Sequence, residues 1–299
     1  MWKLTEHQLN EIDQLFTDKF SNGKAPSIIY KFRLWNDPPN DNILRELQIR
    51  LASPFELQAD YSETILPIDE SVINEEYKRK VAINEAKLLY PSIPHQAQLL
   101  VASQLMASMT IDDKEEREQS YRRSRIRNNE VRGVFCSSYT FENMDQWVYL
   151  AGDATGYSVG LDTKKVYLND KILGSADYVK YYDESNPPKV PPYSFTQQER
   201  VNKSMMELYN VPDRFSYERE YRMVRTNHRY DKSGKVAAYT EEERMVQLTP
   251  DDYIEILLAI DINEKDKNEI LHVRDEKLKL VPIFETTTAN GKIIRGKQL

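Results

Sequence analysis

Two glutamates two positions apart, Glu218 and Glu220, are the residues of this sequence best placed to do chemistry. They lie in residues 217–224, where charged side chains alternate with aromatic or apolar ones. Such alternation predicts a β-strand on which Glu218, Glu220 and Arg222 share one face. Glutamate is not favoured in strands, so the pair needs an explanation. It is either an exposed edge held by Glu–Arg pairs across strands, or a catalytic or ligand-binding pair of carboxylates.

The two glutamates belong to a predicted fold in which strands flank a long helical segment. Strands are predicted at residues 27–35, 48–52, 131–138, 157–161, 178–182, 217–224, 235–239, 245–248, 254–260, 278–284 and 293–294. Helices are predicted at residues 5–16, 42–47, 70–129 with a break at 91–94, 141–150, 195–209 and 263–272. The apolar segment 96–109 is expected to be packed. We therefore predict a single α+β domain over residues 1–299, with a central, mostly antiparallel sheet and a helical insertion at 70–129.

The composition argues against several classes of protein. A net charge of −7 and an isoelectric point near 5.4 argue against a general binder of nucleic acids or anionic membranes. One cysteine cannot form an intramolecular disulfide, and four scattered histidines offer no spacing typical of structural zinc. The N-terminus lacks the pattern of a signal peptide, and no apolar run approaches the roughly 20 residues of a membrane span. We expect a cytoplasmic protein without a membrane partner.

Residues 112–127 carry mostly charged side chains on a predicted helix. Five of them are arginines, namely Arg117, Arg122, Arg123, Arg125 and Arg127. Such a run is typical of a solvated helix face held by pairs between neighbouring turns. The alternative is an arginine patch that binds phosphate or a macromolecular partner.

Five local patterns follow one another along the chain. They are residues 30–33 (Tyr-Lys-Phe-Arg), 51–55 (Leu-Ala-Ser-Pro-Phe), 135–138 (Phe-Cys-Ser-Ser) with Trp147 and Gly156 beyond, Lys203 followed by 217–222 (Tyr-Glu-Arg-Glu-Tyr-Arg), and the apolar residues 256–260. In this order they resemble a bacterial domain-of-unknown-function family, numbered 2971, whose members show Y-K-Y-R, S-x-P-x-x-F-N-D-P, C-F-S, W-x-x-Y and Y-E-x-E-x-R. The resemblance spans residues 28–260, and residues 217–222 are its most specific part.

The sequence departs from the pattern of that family at three places. Asn-Asp-Pro is missing after Phe55, Leu150 stands where a tyrosine follows Trp147 in the family pattern, and Ala154 stands where a histidine is common. The family itself implies no reaction.

The order of charged elements is also similar to that of the arginine-serine-glutamate class of ADP-ribosyltransferases. This looser resemblance implies an ADP-ribosyltransferase-like sheet and NAD as a substrate. It implies that Arg33 binds an NAD phosphate and that Ser137 and Ser138 shape the nicotinamide pocket. Glu220 would stabilise the ribose in the transition state, and Glu218 would orient or deprotonate the acceptor.

The chemistry implied by this resemblance is physically consistent. Loss of nicotinamide develops positive charge on the ribose ring, which a nearby carboxylate stabilises. A guanidinium group suits a diphosphate through bidentate hydrogen bonds, which assigns Arg33 and Arg222 to NAD binding. Tyr30, Trp147 or Tyr157 would stack on nicotinamide or adenine.

Structural explanations exist for the same residues. Arg33 and Arg222 would then neutralise the two glutamates, Cys136 would be a small buried hydrophobic residue, and Trp147 would belong to the core.

Three functions follow from these readings. The first is an NAD-consuming transferase that modifies a protein or nucleic acid, or hydrolyses NAD, as a toxin or phage-defence effector. The second is a non-catalytic module that binds nucleic acid or protein. The third is a metal-dependent nuclease that uses Glu218, Glu220 and Asp162.

Overall fold

The computed structural model describes residues 24–38, 42–57, 65–108, 113–169, 174–227, 229–232 and 234–299. The strands in these residues are β1 (Ile28–Arg33), β2 (Gln48–Arg50), β3 (Arg132–Ser138), β4 (Tyr157–Asp162), β5 (Ser175–Tyr178), β6 (Lys180–Tyr182), β7 (Asn210–Pro212), β8 (Glu220–Thr226), β9 (Met245–Gln247), β10 (Tyr253–Leu258), β11 (Ile283–Ala289) and β12 (Lys292–Gln298). The helices are α1 (Asn42–Arg45), α2 (Glu75–Leu89), α3 (His95–Ser108), α4 (Lys114–Glu130), α5 (Met144–Leu150), α6 (Thr163–Leu168), α7 (Gln197–Tyr209), α8 (Glu241–Arg244) and α9 (Glu264–Lys277). The helix predicted at residues 5–16 lies outside the described residues.

The chain divides into two compact units. The first contains the described parts of Met1–Pro54, Val131–Val179 and Arg214–Leu299, and the second those of Phe55–Glu130 and Lys180–Asp213. The helices of the predicted insertion at 70–129 thus share the second unit with a later stretch of the chain.

The first unit is built on a large, mostly antiparallel sheet. Its strand order is β12-β11-β10-β4-β1-β3-β8-β5. All neighbours in this order pair antiparallel except β10 and β11, which are parallel and are joined through α9. A parallel pair needs such a crossover, because a tight turn joins only antiparallel strands. The prediction of an α+β fold with a mostly antiparallel sheet is confirmed.

Hydrophobic clusters cover both faces of this sheet at β1. Ile29 packs in a cluster with Val159, Leu161 and Ile256. The neighbouring residues Tyr30 and Phe32 pack in a second cluster with Phe141, Trp147 and Leu257. Since alternate side chains of a strand point to opposite faces, β1 is buried on both sides. A charged side chain on β1 is therefore placed in the interior unless the sheet opens beside it.

Asn290-Gly291 lies between the strands predicted at 278–284 and 293–294 and predicts a hairpin turn, and the structure has a hairpin there between β11 and β12. Asn290 and Gly291 have φ angles of 51° and 74°. Positive φ at both central residues is the geometry of a two-residue hairpin turn, and Asn-Gly is the pair that adopts it most readily.

In the second unit, α2 packs on α3 through Ala82, Ala86 and Ala102, while β6 and β7 form a parallel pair. The expectation that residues 96–109 are packed is right for one side of α3, where Val101, Leu105 and Met106 pack on the cluster shared with α2, and wrong for the other side. Leu100 is 71% exposed, and the buried residues of this helix are Gln98 and Ala102. Apolar residues spread around the whole helix leave one side exposed once α2 covers the other.

Internal contacts take up several arginines of α4. Arg117 pairs with Glu70, and Arg123 Nη2 lies 2.7 Å from Glu116 Oε1. Arg125 is buried. These contacts favour the structural interpretation of the arginine run.

None of the helices in the described part of the chain has the length and apolar composition needed to cross a membrane.

Two strand predictions are wrong in detail here, and the strand predicted at 278–284 begins only at Ile283. Residues 235–239 form no strand, and Val236 makes only an isolated bridge to Tyr230. The predicted strand at 178–182 is interrupted at Val179, so that β5 belongs to the large sheet and β6 pairs with β7. Aromatic residues raise strand propensity in both segments, but a strand forms only where a neighbouring strand accepts its hydrogen bonds.

Candidate functional site

The segment with the two glutamates is not one continuous strand. Asp213–Glu218 forms a 3-10 helix, Arg219 has a φ of 48°, and β8 begins at Glu220. The strand predicted over residues 217–224 is therefore wrong for its first three residues. The alternation of the sequence places Glu218 and Glu220 on one face, but here a left-handed turn at Arg219 sets their relative direction.

Side chains from two other elements hold this turn. The Glu218 carbonyl oxygen accepts hydrogen bonds from Ser138 Oγ at 2.6 Å and from Gln146 Nε2 at 2.9 Å. Asn143 Nδ2 donates to the Tyr217 carbonyl oxygen at 3.2 Å. These bonds replace those that a strand ladder would provide, which explains why a β-like sequence adopts a turn here.

A cleft opens beside this turn, within the first unit. β1 pairs with β4 along its whole length but with β3 only through Tyr30 and Ser138. Six of the residues that line the cleft are Lys31, Arg33, Ser138, Leu150, Glu218 and Glu220. The cleft is partly open to solvent and has a volume of about 100 Å³. That volume is below the ~300–1,000 Å³ typical of small-molecule sites, so the cleft takes a part of a larger ligand.

Glu220 is buried and held by one arginine. Arg222 Nε lies 2.8 Å from Glu220 Oε1, and Arg222 Nη2 lies 2.9 Å from Oε2. Such a bidentate pair fixes the plane of the carboxylate. Arg222 is itself buried and supports the cleft through Glu220.

Glu218 is half-buried close to Glu220. Burial and the negative charge of Glu220 raise the pKa of Glu218 to about 7, against the opposing effects of Arg222 and Lys31. A carboxyl group with this pKa exchanges protons near neutral pH, as a general acid or base must.

Two cations of β1, Lys31 and Arg33, line the same cleft. Arg33 Nη1 donates to the Phe32 carbonyl oxygen at 3.1 Å, and Lys31 Nζ donates to the Cys136 carbonyl oxygen at 2.5 Å. Burial lowers the pKa of Arg33. Burial and the charge of Arg33 lower the pKa of Lys31 to about 8. Among the described residues, no carboxylate lies within ion-pair distance of either cation.

The remaining predicted residues have other surroundings. Ser137 lines the cleft, but its Oγ donates to the Tyr221 carbonyl oxygen at 2.9 Å. Tyr30 also lines the cleft, with its hydroxyl donating to Glu255 Oε1 at 2.9 Å. Cys136 lies beside Glu220, and burial together with that carboxylate raises the pKa of its thiol. A protonated thiol is a poor nucleophile, so Cys136 is unsuited to covalent catalysis.

Two of the predicted stacking residues lie in the core. Trp147 is 1% exposed, packs edge-on against Phe32 and donates from Nε1 to the Phe141 carbonyl oxygen at 2.8 Å. Tyr157 is fully buried against Trp35. Neither ring is available to a ligand in this conformation, because protein atoms cover both.

The chain matches no protein-family model, no curated protein and no solved structure. The functional interpretation of the cleft therefore rests on its own residues.

Sequence reasoning missed Lys31, Gln146 and Leu150. The last two lie four residues apart on α5, a spacing that places them on the same side of a helix. Gln146 reaches the Glu218 carbonyl oxygen, and Leu150 lines the cleft. That spacing indicates that Gln146 and Leu150 act on the same side of the helix, but it does not indicate which segment the helix contacts.

The nuclease hypothesis gains no geometric support. Asp162 caps α6 by accepting a hydrogen bond from the Lys165 backbone nitrogen at 3.0 Å, and it does not line the cleft. The part of the chain that the structure describes contains no group of three or more His, Cys, Asp or Glu residues that could hold a metal ion.

The raised pKa of Glu218 predicts a pH-dependent stability. In the folded protein the pKa of Glu218 is about 7, whereas the ordinary pKa of a glutamate side chain is 4.5. The stability that this group contributes is therefore fully present below pH 4.5 and is lost as the pH rises through about 7. We expect Glu218→Gln to flatten this part of the profile, measured by urea unfolding between those pH values.

The exposed Glu242 provides the control for that measurement. Glu242→Gln should leave the pH profile of unfolding unchanged. Identical profiles for wild type and Glu218→Gln would contradict the expected protonation of Glu218.

Proposed function

We propose that this protein is an NAD-consuming, ADP-ribosyltransferase-like enzyme. It cleaves the bond between nicotinamide and ribose and transfers ADP-ribose to a protein, a nucleic acid or water. The observation that carries this proposal is that Arg33, Glu218 and Glu220, which are far apart in sequence, line one cleft of the first unit. An acidic pair and a cation in one cleft suit a substrate that is anionic at one end and becomes cationic at its reacting carbon.

Arg33 is the residue that binds the diphosphate of NAD. Its guanidinium group is half-buried at the cleft and has no ion-pair partner among the described residues. An anion arriving there compensates a charge that has already lost much of its water. Guanidinium also matches phosphate oxygens through two parallel hydrogen bonds.

Glu220 stabilises the ribose as the glycosidic bond breaks. The bond electrons leave with nicotinamide, and positive charge develops on the ribose ring. A carboxylate that is already oriented by Arg222 needs little reorganisation to stabilise this charge. Glu218 then accepts the proton of the hydroxyl or amine that attacks the ribose carbon, in keeping with its pKa of about 7.

We also propose that the chain is related to the bacterial family numbered 2971. Three of the five sequence patterns supply lining residues of the cleft, at 30–33, at 136–138, and at 218 and 220. Patterns that are separate in sequence but meet around one cavity are more simply explained by a shared binding site than by separate structural needs.

The proposal is tested with NAD labelled in the nicotinamide ring or in the adenylate. Wild-type protein should release nicotinamide, and the adenylate label should transfer to an acceptor in lysate or appear as free ADP-ribose. Arg33→Gln should raise KM by about 10–100-fold with a smaller change in kcat, since a charged hydrogen bond contributes about 1.5–3 kcal/mol to binding.

Arg122→Gln is the matched control, because it removes an exposed guanidinium group of the second unit. It should not change KM. Absence of nicotinamide release by the wild type, both alone and with lysate, would contradict the proposed function.

A further inference from the structure

Lys31 is a half-buried lysine that the proposed NAD cleavage leaves without a role. Its Nζ lies in the cleft and donates to the Cys136 carbonyl oxygen at 2.5 Å. In the described residues this ammonium group forms no ion pair, although Glu218 and Glu220 also line the cleft. A lysine buried in this way normally either gains a carboxylate partner or gives up its proton.

The neighbours of Lys31 favour the loss of its proton. Burial acts first and the positive charge of Arg33 second, and together they lower the pKa of Lys31 to about 8. Cys136, Glu220 and Glu218 act in the opposite direction, and their combined effect is the smaller one. Desolvation and an adjacent cation are the two means by which lysines become nucleophilic at neutral pH.

We propose that Lys31 is a nucleophilic amine that forms an imine with an aldehyde carrying a phosphate group. Arg33 supplies the phosphate contact, because it is two residues along the same strand and so lies on the same face as Lys31, with Cα atoms about 7 Å apart. A short aldehyde phosphate spans this separation. The proposal does not rest on NAD cleavage, although the open-chain form of ADP-ribose belongs to the same chemical class.

Glu218 provides the proton transfers that the condensation needs. The uncharged Lys31 nitrogen attacks the carbonyl carbon, a carbon–nitrogen bond forms as the carbon–oxygen π bond breaks, and one proton of that nitrogen moves to the oxygen to give a carbinolamine. The protonated form of Glu218 then donates a proton to that hydroxyl group, water leaves, and the carbon–nitrogen double bond forms. Glu218 is suited to both directions of transfer, since its pKa is about 7.

The experiment uses the full chain, pyridoxal 5′-phosphate as the aldehyde phosphate, and borohydride to trap the imine. Peptide mass spectrometry of wild type locates the adduct. Lys31 should be labelled at least about tenfold faster near pH 7.5 than the exposed Lys265 and Lys279, because more of its amine is uncharged than in an ordinary lysine. Lys31→Arg should lose this adduct.

Two further measurements separate imine formation from simple charge attraction. Pyridoxal, which lacks the phosphate, should label Lys31 more slowly, and inorganic pyrophosphate should protect Lys31 from pyridoxal 5′-phosphate. The proposal is overturned if Lys31 is labelled no faster than Lys265 and Lys279, even if pyrophosphate binds to the protein. It is also overturned if the adduct survives dialysis without borohydride. Since the peptide map is made on wild type without NAD, neither a misfolded variant nor failure of the proposed NAD cleavage affects the result.

Discussion

Replacement of Glu220 by glutamine is expected to lower kcat for NAD cleavage by about 10²–10³-fold, the loss typical when one preorganised electrostatic group is removed. The amide keeps the size of the side chain and one oxygen for Arg222, but it has no negative charge to offset the charge that develops on the ribose. KM should change much less, because that charge appears only in the transition state. Nicotinamide release under saturating NAD measures the effect.

Alanine at the same position tests stability as well as activity. Glu220→Ala leaves the buried Arg222 without its bidentate partner, and breaking a buried ion pair in this way costs about 3–5 kcal/mol of unfolding free energy. Urea unfolding of both variants therefore separates a folding defect from a catalytic one. A folded Glu220→Gln variant with wild-type kcat would remove the carboxylate from the mechanism.

Replacement of Trp147 by alanine is expected to reduce the unfolding free energy by about 3–5 kcal/mol, the usual range for a buried Trp or Phe. The indole is 1% exposed, lies 5.0 Å from Phe32 between ring centroids, and donates to the Phe141 carbonyl oxygen. Its removal leaves a cavity in the cluster that covers one face of β1. Urea unfolding at neutral pH measures the change.

Two comparison variants serve as controls for the unfolding measurement on Trp147→Ala. Trp147→Phe keeps most of the packing, and should be less destabilising than Trp147→Ala. Leu280→Ala, at a side chain of the same unit that is 97% exposed, should change stability by less than about 0.5 kcal/mol. A stacking role for Trp147 would instead appear as a rise in KM with unchanged unfolding free energy.

Local sequence patterns determined most of the secondary structure and the class of the fold. The apolar run at 254–260 predicted β10, the segment 131–138 predicted β3, and Asn290-Gly291 predicted the last hairpin. These predictions are right because side-chain periodicity and turn geometry depend on residues that are close in sequence. The sequence also identified Arg33, Ser138, Glu218 and Glu220, all of which line the cleft.

Tertiary structure alone decided how those residues meet. Nothing in residues 217–222 indicates the left-handed turn at Arg219, because the hydrogen bonds that hold it come from Ser138 and Gln146. The burial of Trp147 and the exposure of Leu100 likewise depend on which elements pack against α5 and α3. The cleft itself exists because β1 and β3 pair at a single position. Contacts between distant segments set all of these features, and single-sequence periodicity carries no information about such contacts.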